Sequence, residues 1–235
     1  MQAIRLLPLI QMTLSLRRHY IDKLLSSNQF HGRVLDIGGE KINKRGSFRP
    51  PMDSVDSWEY INIDPATDPD YLCSAESIPV SDNLFDFIVI ADVLEHLKNT
   101  DDVLNECMRI LKPGGTLIAT MPFLYPVHDD PDDYQRWTPT RFRIEFNKAG
   151  FKNANIEPMG SLFAVVFDLL HVSLGIASRN NQALKNRFAN KFIMPLLSKI
   201  FLALDNKYFY KSSIITTGWY VTAQKKSPQH INISP

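Results

Sequence analysis

Short apolar runs alternate with helical patterns over the first two thirds of the chain. Runs of β-branched and other apolar residues predict four buried strands, at residues 33–37, 60–63, 87–90 and 116–121. A weaker strand is predicted at 71–73, and residues 101–111 have the apolar spacing of a helix with acidic residues in its first turn. This alternation is typical of β-α units and predicts an α/β fold with a parallel sheet.

The last third of the chain departs from this alternation. Thr138 before Pro139 is typical of a helix start, and Gly150 is typical of a helix end. Residues 151–157 and 214–223 predict two further strands, and the long segment between them has helical patterns. Connections in compact domains usually have about 4–6 residues, so we predict a helical insertion between the last two strands.

Composition narrows the class of protein. The 235 residues are 44% hydrophobic and 22% charged, and 26 basic against 25 acidic residues give a net charge of +1. This balance is typical of a soluble globular protein and disfavours a nucleic-acid partner. Cys73 and Cys107 form no disulfide framework, and the apolar N-terminus, broken by Arg5 and Pro8, predicts a helix rather than a signal peptide. We therefore predict a cytoplasmic protein.

A glycine turn follows the first predicted strand. Gly38 and Gly39 let the backbone approach a ligand, and Asp64 at the next strand end can accept hydrogen bonds from ribose hydroxyls. Glu40 follows the pair, and no third glycine completes G-x-G-x-x-G, so a nucleoside without phosphates fits better than a dinucleotide. The structural alternative is that the glycines only turn the chain and that Asp64 caps a loop.

The sequence around these residues resembles the class I S-adenosylmethionine-dependent methyltransferases of the type 11 group. The shared segments are VLDIGG (34–39), YINID (60–64), SAESIP (74–79), FDFIV (85–89), VLEHL (93–97) and RILKPGG (109–115). The resemblance implies a Rossmann-like, seven-stranded, mostly parallel sheet with one antiparallel edge strand. Together with the hydrophobic pattern, it divides the chain into four predicted parts: an N-terminal helical segment (1–30), a methyltransferase core (31–159), the helical insertion (160–212), and a final strand and tail (213–235).

The resemblance implies S-adenosylmethionine as the cofactor. The residues it places at the cofactor are Asp36, Gly38, Gly39, Asp64, Ser74, Ala75 and Ala91. Asp36 would support the glycine turn, Asp64 would hold the ribose hydroxyls, and Ser74 and Ala75 would meet the adenine edge. Ala91 would line the pocket below the sulfonium. The sequence departs from the family at Glu40, a common glycine position, and at Ser74, where relatives often have aspartate.

The acceptor side is predicted in the segment after residue 121. His128 is the candidate general base with Asp129 as its orienting carboxylate, and Tyr125 and Arg136 are candidate substrate contacts. The alternative is a salt-bridge network of the aspartates with Arg136 that only folds the loop. The spacing of His128 and the aspartates matches no metal motif, so we predict no metal, and we expect residues 95–97 to form a structural cap.

The predicted function is methyl transfer to oxygen of a sugar or other small metabolite, and such loops in the resembling family suggest surface polysaccharide biosynthesis. The alternatives are a nicotinamide-dependent oxidoreductase and a non-catalytic binding module with the same fold. The substrate would be a small molecule or a lipid-linked sugar. Residues 161–204 have wide apolar faces; they predict a substrate lid, or a peripheral membrane contact or homodimer surface.

Overall fold

The computed structural model describes residues 15–42, 44–128, 132–180, 193–209 and 214–227. The predictions for residues 1–14 and for Asp129 lie outside these ranges. The helices are α1 (Leu16–Ser26), α2 (Thr100–Ile110), α3 (Pro139–Lys148), α4 (Leu162–Asn180) and α5 (Met194–Tyr208). The strands are β1 (Arg33–Ile37), β2 (Ser57–Asn62), β3 (Tyr71–Leu72), β4 (Phe85–Ala91), β5 (Leu111–Pro122), β6 (Lys152–Met159) and β7 (Gly218–Gln224).

The seven strands form one sheet in the order β3-β2-β1-β4-β5-β7-β6. Neighbours from β3 to β5 are parallel, and β7 is antiparallel to both β5 and β6. The predicted seven-stranded, mostly parallel sheet is confirmed. The position of its antiparallel strand was wrong, because β7 lies one place inside the edge. Its Trp219, Tyr220 and Val221 are buried, whereas β6 is largely accessible and contains Pro158, which an edge strand tolerates.

Helices cover both faces of the sheet. On one face, α2 and α3 bury Leu104 and Phe146 in the larger apolar cluster, and on the other face α1 buries Ile21 beside Trp58. Among the described residues, no helix lies between β1 and β2, as the prolines in that segment predict. The connection after β1 is therefore irregular, and its first residue, Gly38, is exposed.

The helical insertion is present between β6 and β7. Its two helices pack against each other, and α4 also packs against α1, where Ala164 and Phe167 meet Leu16. Pro195 lies in the first turn of α5, a position at which a helix tolerates proline. Asp205 of α5 accepts hydrogen bonds from the backbone N–H groups at the start of α4, which joins the two helices.

Helix α4 does not simply bury its apolar face and expose its polar face. Its stripe of small and polar residues is buried, with Asp168 fully inaccessible, while Leu169, Leu170 and Leu174 are exposed. Small side chains allow α4 to approach α1 closely, and Asp168 accepts hydrogen bonds from the first N–H groups of α1. None of the described helices combines the length and the apolar character needed to cross a membrane.

Candidate active site

The turn after β1 lies where the strand order of the sheet reverses. β2 and β4 lie on either side of β1, and such a reversal opens a crevice at the carboxyl ends of the strands. Gly38 is exposed with φ of +78°, and a Cβ atom there would lie 2.4 Å from Cγ2 of Val93. Glycine is therefore required at this position, and its backbone is open to a ligand in the crevice.

Asp36 lies directly beneath this turn. A Cβ atom on Gly39 would lie 2.5 Å from the Asp36 Cγ, and Nε1 of Trp58 donates a 3.4 Å hydrogen bond to Asp36 Oδ2. Burial raises the pKa of Asp36 to about 6, although the hydrogen bond from Trp58 and the charge of Lys44 oppose this shift. The placement supports the predicted role of Asp36 beneath the glycine turn.

Asp64 follows β2 at the neighbouring strand end. Its Oδ1 accepts a 2.9 Å hydrogen bond from the backbone N–H of Ala66 and so caps a short 3-10 turn. The structural alternative for Asp64, a loop cap, is therefore present in the fold. The residue is also exposed, so capping leaves it accessible to a ligand from solvent.

The other predicted cofactor residues lie on the same edge of the sheet. Ser74 and Ala75 follow β3, where Ser74 is exposed and Ala75 is buried. Ala91 ends β4 one residue after Ile90, which pairs with Ile37 of β1, so Ala91 lies beside Gly38. The predicted cofactor residues thus occupy the ends of four neighbouring strands, β3, β2, β1 and β4.

The segment after β5 brings His128 to this edge. The His128 backbone N–H donates a 3.0 Å hydrogen bond to Oδ2 of Asp133, and its ring Nδ1 lies 3.2 Å from the carbonyl oxygen of Pro126. Asp129, the predicted orienting carboxylate, lies outside the described residues. In the described part of the chain the carboxylate beside His128 is Asp133, whose Oδ2 is 3.5 Å from Nδ1.

Arg136 and Tyr125, the predicted substrate contacts, already have partners within the protein. Nη2 of Arg136 donates a 2.6 Å hydrogen bond to Asp133, whose other oxygen contacts Nη1, so the guanidinium fork is engaged. This favours the alternative in which Arg136 stabilises the loop, above the buried Trp137. The Tyr125 ring lies edge-on to His128 with centroids 5.5 Å apart.

Glu95 is the most buried acidic side chain near this edge. It belongs to the 3-10 turn Leu94–His96 directly after β4, is 0% exposed, and has no hydrogen-bond partner for either carboxylate oxygen among the described residues. Burial and the nearby Asp92 raise the pKa of Glu95 to about 8. Its Oε1 lies 3.7 Å from Nε2 of His96 and 3.9 Å from Nε2 of His128. Burial lowers the pKa of His128.

Arg17 reaches the same region from α1. Its guanidinium pairs with Asp92, which follows Ala91 in the chain, and lies 4.4 Å from the centroid of the Tyr125 ring. Both paired side chains are nearly inaccessible to solvent. Sequence reasoning did not find the Arg17–Asp92 pair or the burial of Glu95 beside His128. The available signal was the acidic spacing of Asp92 and Glu95 directly after a buried strand.

The comparisons with known proteins agree with this architecture. Residues 58–119 match the family profile described as a methyltransferase domain. The profile and the strand order together decide the fold. The chain has the class I methyltransferase fold. The resemblance predicted from the sequence motifs is thereby confirmed.

Solved structures of low sequence identity share this methyltransferase fold. Phosphoethanolamine N-methyltransferase 2 from Haemonchus contortus, with S-adenosyl-L-methionine bound, superposes with a TM-score of 0.55 at 19% identity, over 90% of this chain and 52% of that one. The [4+2]-cyclase SpnF superposes with a TM-score of 0.59 at 18% identity, over 89% of this chain and 82% of that one. At these identities the likeness establishes the fold alone.

A curated relative with sequence similarity matches only part of its own length. The ubiquinone/menaquinone biosynthesis C-methyltransferase UbiE of Brucella canis is 28% identical over 112 residues, which are 45% of this chain and 38% of the relative. The matched segment thus spans less than half of this relative's length.

Proposed function

We propose that this chain transfers a methyl group from S-adenosylmethionine to an oxygen atom of a small molecule such as a sugar. The observation that carries the proposal is the open Gly38 turn at the reversal of strand order, with Asp64 at the next strand end. A bare backbone turn accommodates a nucleoside, and a carboxylate can hold its ribose hydroxyls. The methyltransferase-domain profile supports the same donor.

The reaction itself requires positioning more than covalent chemistry. As the acceptor oxygen forms its bond to the methyl carbon, the carbon–sulfur bond breaks, and S-adenosylhomocysteine leaves with the electron pair. Alignment of the two reactants supplies much of the reduction in the barrier. In this proposal the β1 and β4 ends hold the donor, and the segment after β5 holds the acceptor.

His128 is the acceptor-side residue of the proposal. Its Nδ1 lies against the Pro126 carbonyl oxygen, which can only accept, so Nδ1 carries the ring hydrogen and Nε2 retains the lone pair. Nε2 can then take the proton that an acceptor hydroxyl loses. Surface polysaccharide synthesis stays a prediction from the sequence resemblance, and a lipid-linked sugar stays one from the apolar insertion. A cytoplasmic location stays a prediction from the composition and the N-terminus.

The two alternative functions make different use of the crevice. A nicotinamide dinucleotide needs room for a pyrophosphate, and here the acidic Glu40 directly follows the glycine pair. A non-catalytic module would keep the fold without transferring a methyl group. SpnF, which is named as a cyclase, has the same fold, so methyl transfer requires a direct test.

Calorimetry of the full chain with S-adenosylhomocysteine and with NADH tests the donor site. We expect saturable binding of S-adenosylhomocysteine alone, weakened at least about tenfold (about 1.4 kcal/mol) by Gly38→Ala. Gly114→Ala is the matched control, because Gly114 also has a positive φ, +81°, but lies at the opposite edge of the sheet. Binding of NADH alone, or equal losses in both variants, would overturn the proposed donor site.

Transfer is then followed with methyl-labelled S-adenosylmethionine and fractionated cell extracts. We expect label in a small-molecule fraction that is stable as an ether. Donor binding without transfer to any fraction would favour the non-catalytic module.

A further inference from the structure

We propose that Glu95, His96 and His128 bind a divalent transition-metal cation of the Zn²⁺ class. One ligand atom from each residue can be chosen so that all three lie within 4.8 Å of one another. The inference goes beyond the proposed function, since transfer from a sulfonium to a hydroxyl needs no metal in itself. It also revises the sequence-based expectation that the chain holds no metal.

Both histidines present the ring nitrogen that binds metals. Nδ1 of His96 lies 2.5 Å from the backbone carbonyl oxygen of Asp132, and Nδ1 of His128 lies 3.2 Å from that of Pro126. A carbonyl oxygen only accepts, so each Nδ1 carries a hydrogen and each Nε2 has a free lone pair. In metal-binding histidines the N–H group of the second ring nitrogen commonly donates a hydrogen bond to a carbonyl oxygen in this way.

Glu95 supplies a buried carboxyl group beside the two rings. Its carboxylate is 0% exposed and, within the described ranges, unpartnered at both oxygens, while both Nε2 atoms lie within 4 Å of Oε1. When the Glu95 carboxyl is ionised, three acceptors therefore face one another with no donor between them. An uncompensated buried carboxylate costs free energy. A cation at this point would accept a lone pair from each of the three residues at once, whereas a single proton can be shared by only two of them.

The spacing and the ligand types select the class of metal. Zinc bonds of about 2.0–2.2 Å place tetrahedral ligand atoms about 3.3–3.5 Å apart. The separations of 3.7 and 3.9 Å from Glu95 Oε1 exceed this by a few tenths of an ångström, which a small rotation of each side chain can close. Two imidazoles and one carboxylate suit Zn²⁺ or Fe²⁺ with an open position, whereas Ca²⁺ and Mg²⁺ prefer oxygen ligands.

Hydrogen bonds to backbone carbonyl oxygens hold the two ligand segments together. Nε2 of Gln135 donates to the carbonyl oxygens of Leu94 and Leu97 at 3.0 and 2.9 Å, and the Tyr134 N–H donates to the Glu95 carbonyl oxygen at 2.8 Å. These contacts match the predicted structural cap at residues 95–97. They also join the turn after β4 to the segment after β5, so the ligands are preorganised and little ordering is needed when the cation binds.

The cation would change what His128 does, and this step rests on the proposed function. One lone pair cannot bind a metal and accept a proton at the same time. A hydroxyl at the open coordination position has a lowered pKa, so its proton would pass to water before the oxygen attacks the methyl group. The metal would then orient the acceptor, and His128 would act as a ligand.

Direct metal binding tests the site without any assay of methyl transfer. The purified full chain is stripped with a chelator, dialysed, and titrated with Co²⁺ by visible absorption and with Zn²⁺ by calorimetry. We expect one equivalent to bind, with Co²⁺ bands that indicate imidazole nitrogen and oxygen ligands. Glu95→Gln and His128→Asn should each weaken binding at least about tenfold. The exposed His19 provides the matched control, His19→Asn, which should bind like the wild type.

Two results would overturn the metal site. One is the absence of saturable binding of both cations to the wild type, a readout that does not depend on whether any variant folds. The other is binding by folded Glu95→Gln, verified by circular dichroism, that equals binding by the wild type. Retained binding of S-adenosylhomocysteine in either case would leave the proposed donor site intact, so the two proposals fail separately.

Discussion

Arg17 and Asp92 form a buried ion pair that joins α1 to the carboxyl end of β4. Asp92 also accepts a 2.9 Å hydrogen bond from the hydroxyl of Thr120, and the backbone N–H of Arg17 donates a 3.0 Å hydrogen bond to Asp168 of α4. The helical insertion is thus connected through α1 to the edge of the sheet that carries the candidate active site.

Replacing Arg17 with methionine should destabilise the fold strongly. The substitution keeps an unbranched side chain but leaves the Asp92 carboxylate buried without its cation, which typically costs about 3–5 kcal/mol. Urea denaturation followed by circular dichroism measures the loss. Adding Asp92→Asn should recover part of it, because the double variant buries no charge at this position.

Lys148→Ala is the control for the Arg17 experiment. Lys148 pairs with Asp101 at the surface, where both side chains are largely accessible, so the urea midpoint should stay near that of the wild type. A cost for Arg17→Met as small as that of Lys148→Ala would mean that the buried pair contributes nothing to stability.

The sequence was sufficient to predict the strands and to place the predicted cofactor residues at one edge of the sheet. Apolar runs define each strand, and parallel strands bring residues such as Gly38, Asp64 and Ala91 to the same edge whatever the connections do. The order of the last two strands in the sheet was harder to predict. After α5 the chain enters the sheet between β5 and β6, so the antiparallel β7 pairs with both and β6 forms the edge. No local sequence pattern determines this strand order.

Side-chain partners were predicted less well, because they come from distant parts of the chain. Arg17 and Asp92 are 75 positions apart. Adjacency in sequence suggested Asp129 as the partner of His128, whereas the described carboxylate beside it, Asp133, is five positions away. Glu95 was recognised within a motif, but its burial between two imidazoles depends on how the segment after β5 folds back.

Replacing His128 with alanine should reduce methyl transfer and leave the donor site intact. Loss of a proton acceptor typically lowers turnover about 10²–10⁴-fold. The proposed S-adenosylhomocysteine site lies at the other strand ends, so its affinity should be kept. Turnover with labelled donor and calorimetry with S-adenosylhomocysteine measure the two effects. His19→Asn should leave both unchanged.

Chelator treatment separates the two roles considered for His128. Full turnover of the chelator-treated wild type, combined with a loss in His128→Ala, would identify the residue as the base. Loss of turnover on chelation, restored by Zn²⁺, would identify it as a ligand. Unchanged turnover in His128→Ala would exclude both roles.

Asp36 should make stability depend on pH between about 4 and about 6. Burial raises its pKa in the folded chain from the ordinary value of 3.8 to about 6. Between these values the folded state binds the proton more tightly than the unfolded state does. The contribution of Asp36 to the free energy of unfolding therefore falls as the pH rises through this window, and stays low above it.

Asp36→Asn should remove this dependence. At pH 8 the variant should have a free energy of unfolding about 1–3 kcal/mol above that of the wild type, and the difference should shrink at pH 4. Urea denaturation at both pH values measures it. Trp58→Phe removes a hydrogen-bond donor that favours the ionised Asp36 carboxylate. The pKa of Asp36 should therefore rise further, and the fall in stability should extend to higher pH. If the free energies of unfolding of Asp36→Asn and the wild type differ by the same amount at both pH values, Asp36 is not the source of the pH dependence.

The exposed apolar face of α4 and α5 should mediate contact with a membrane. Leu169, Leu170 and Leu174 are 43%, 51% and 49% exposed, and Leu196 of α5 is 60% exposed. Fully burying an exposed leucine contributes about 1.5–3 kcal/mol. These four are about half exposed, so each can contribute about half of that, and together they can hold the chain on a lipid surface. We expect the wild type to sediment with anionic vesicles, and the variant with serine at all three α4 positions to remain in solution with an unchanged thermal midpoint.

Ile144→Ser is the matched control for this face. Ile144 is 53% exposed but lies on α3, away from the insertion, so its replacement removes the same kind of surface and should leave vesicle binding unchanged. Analytical ultracentrifugation separates the two contacts that residues 161–204 predict. Concentration-dependent dimers that the triple variant loses, without vesicle binding, would assign the face to a second copy of the chain. If the wild type neither binds vesicles nor dimerises, the leucines are simply solvent-exposed and the predicted contact is wrong.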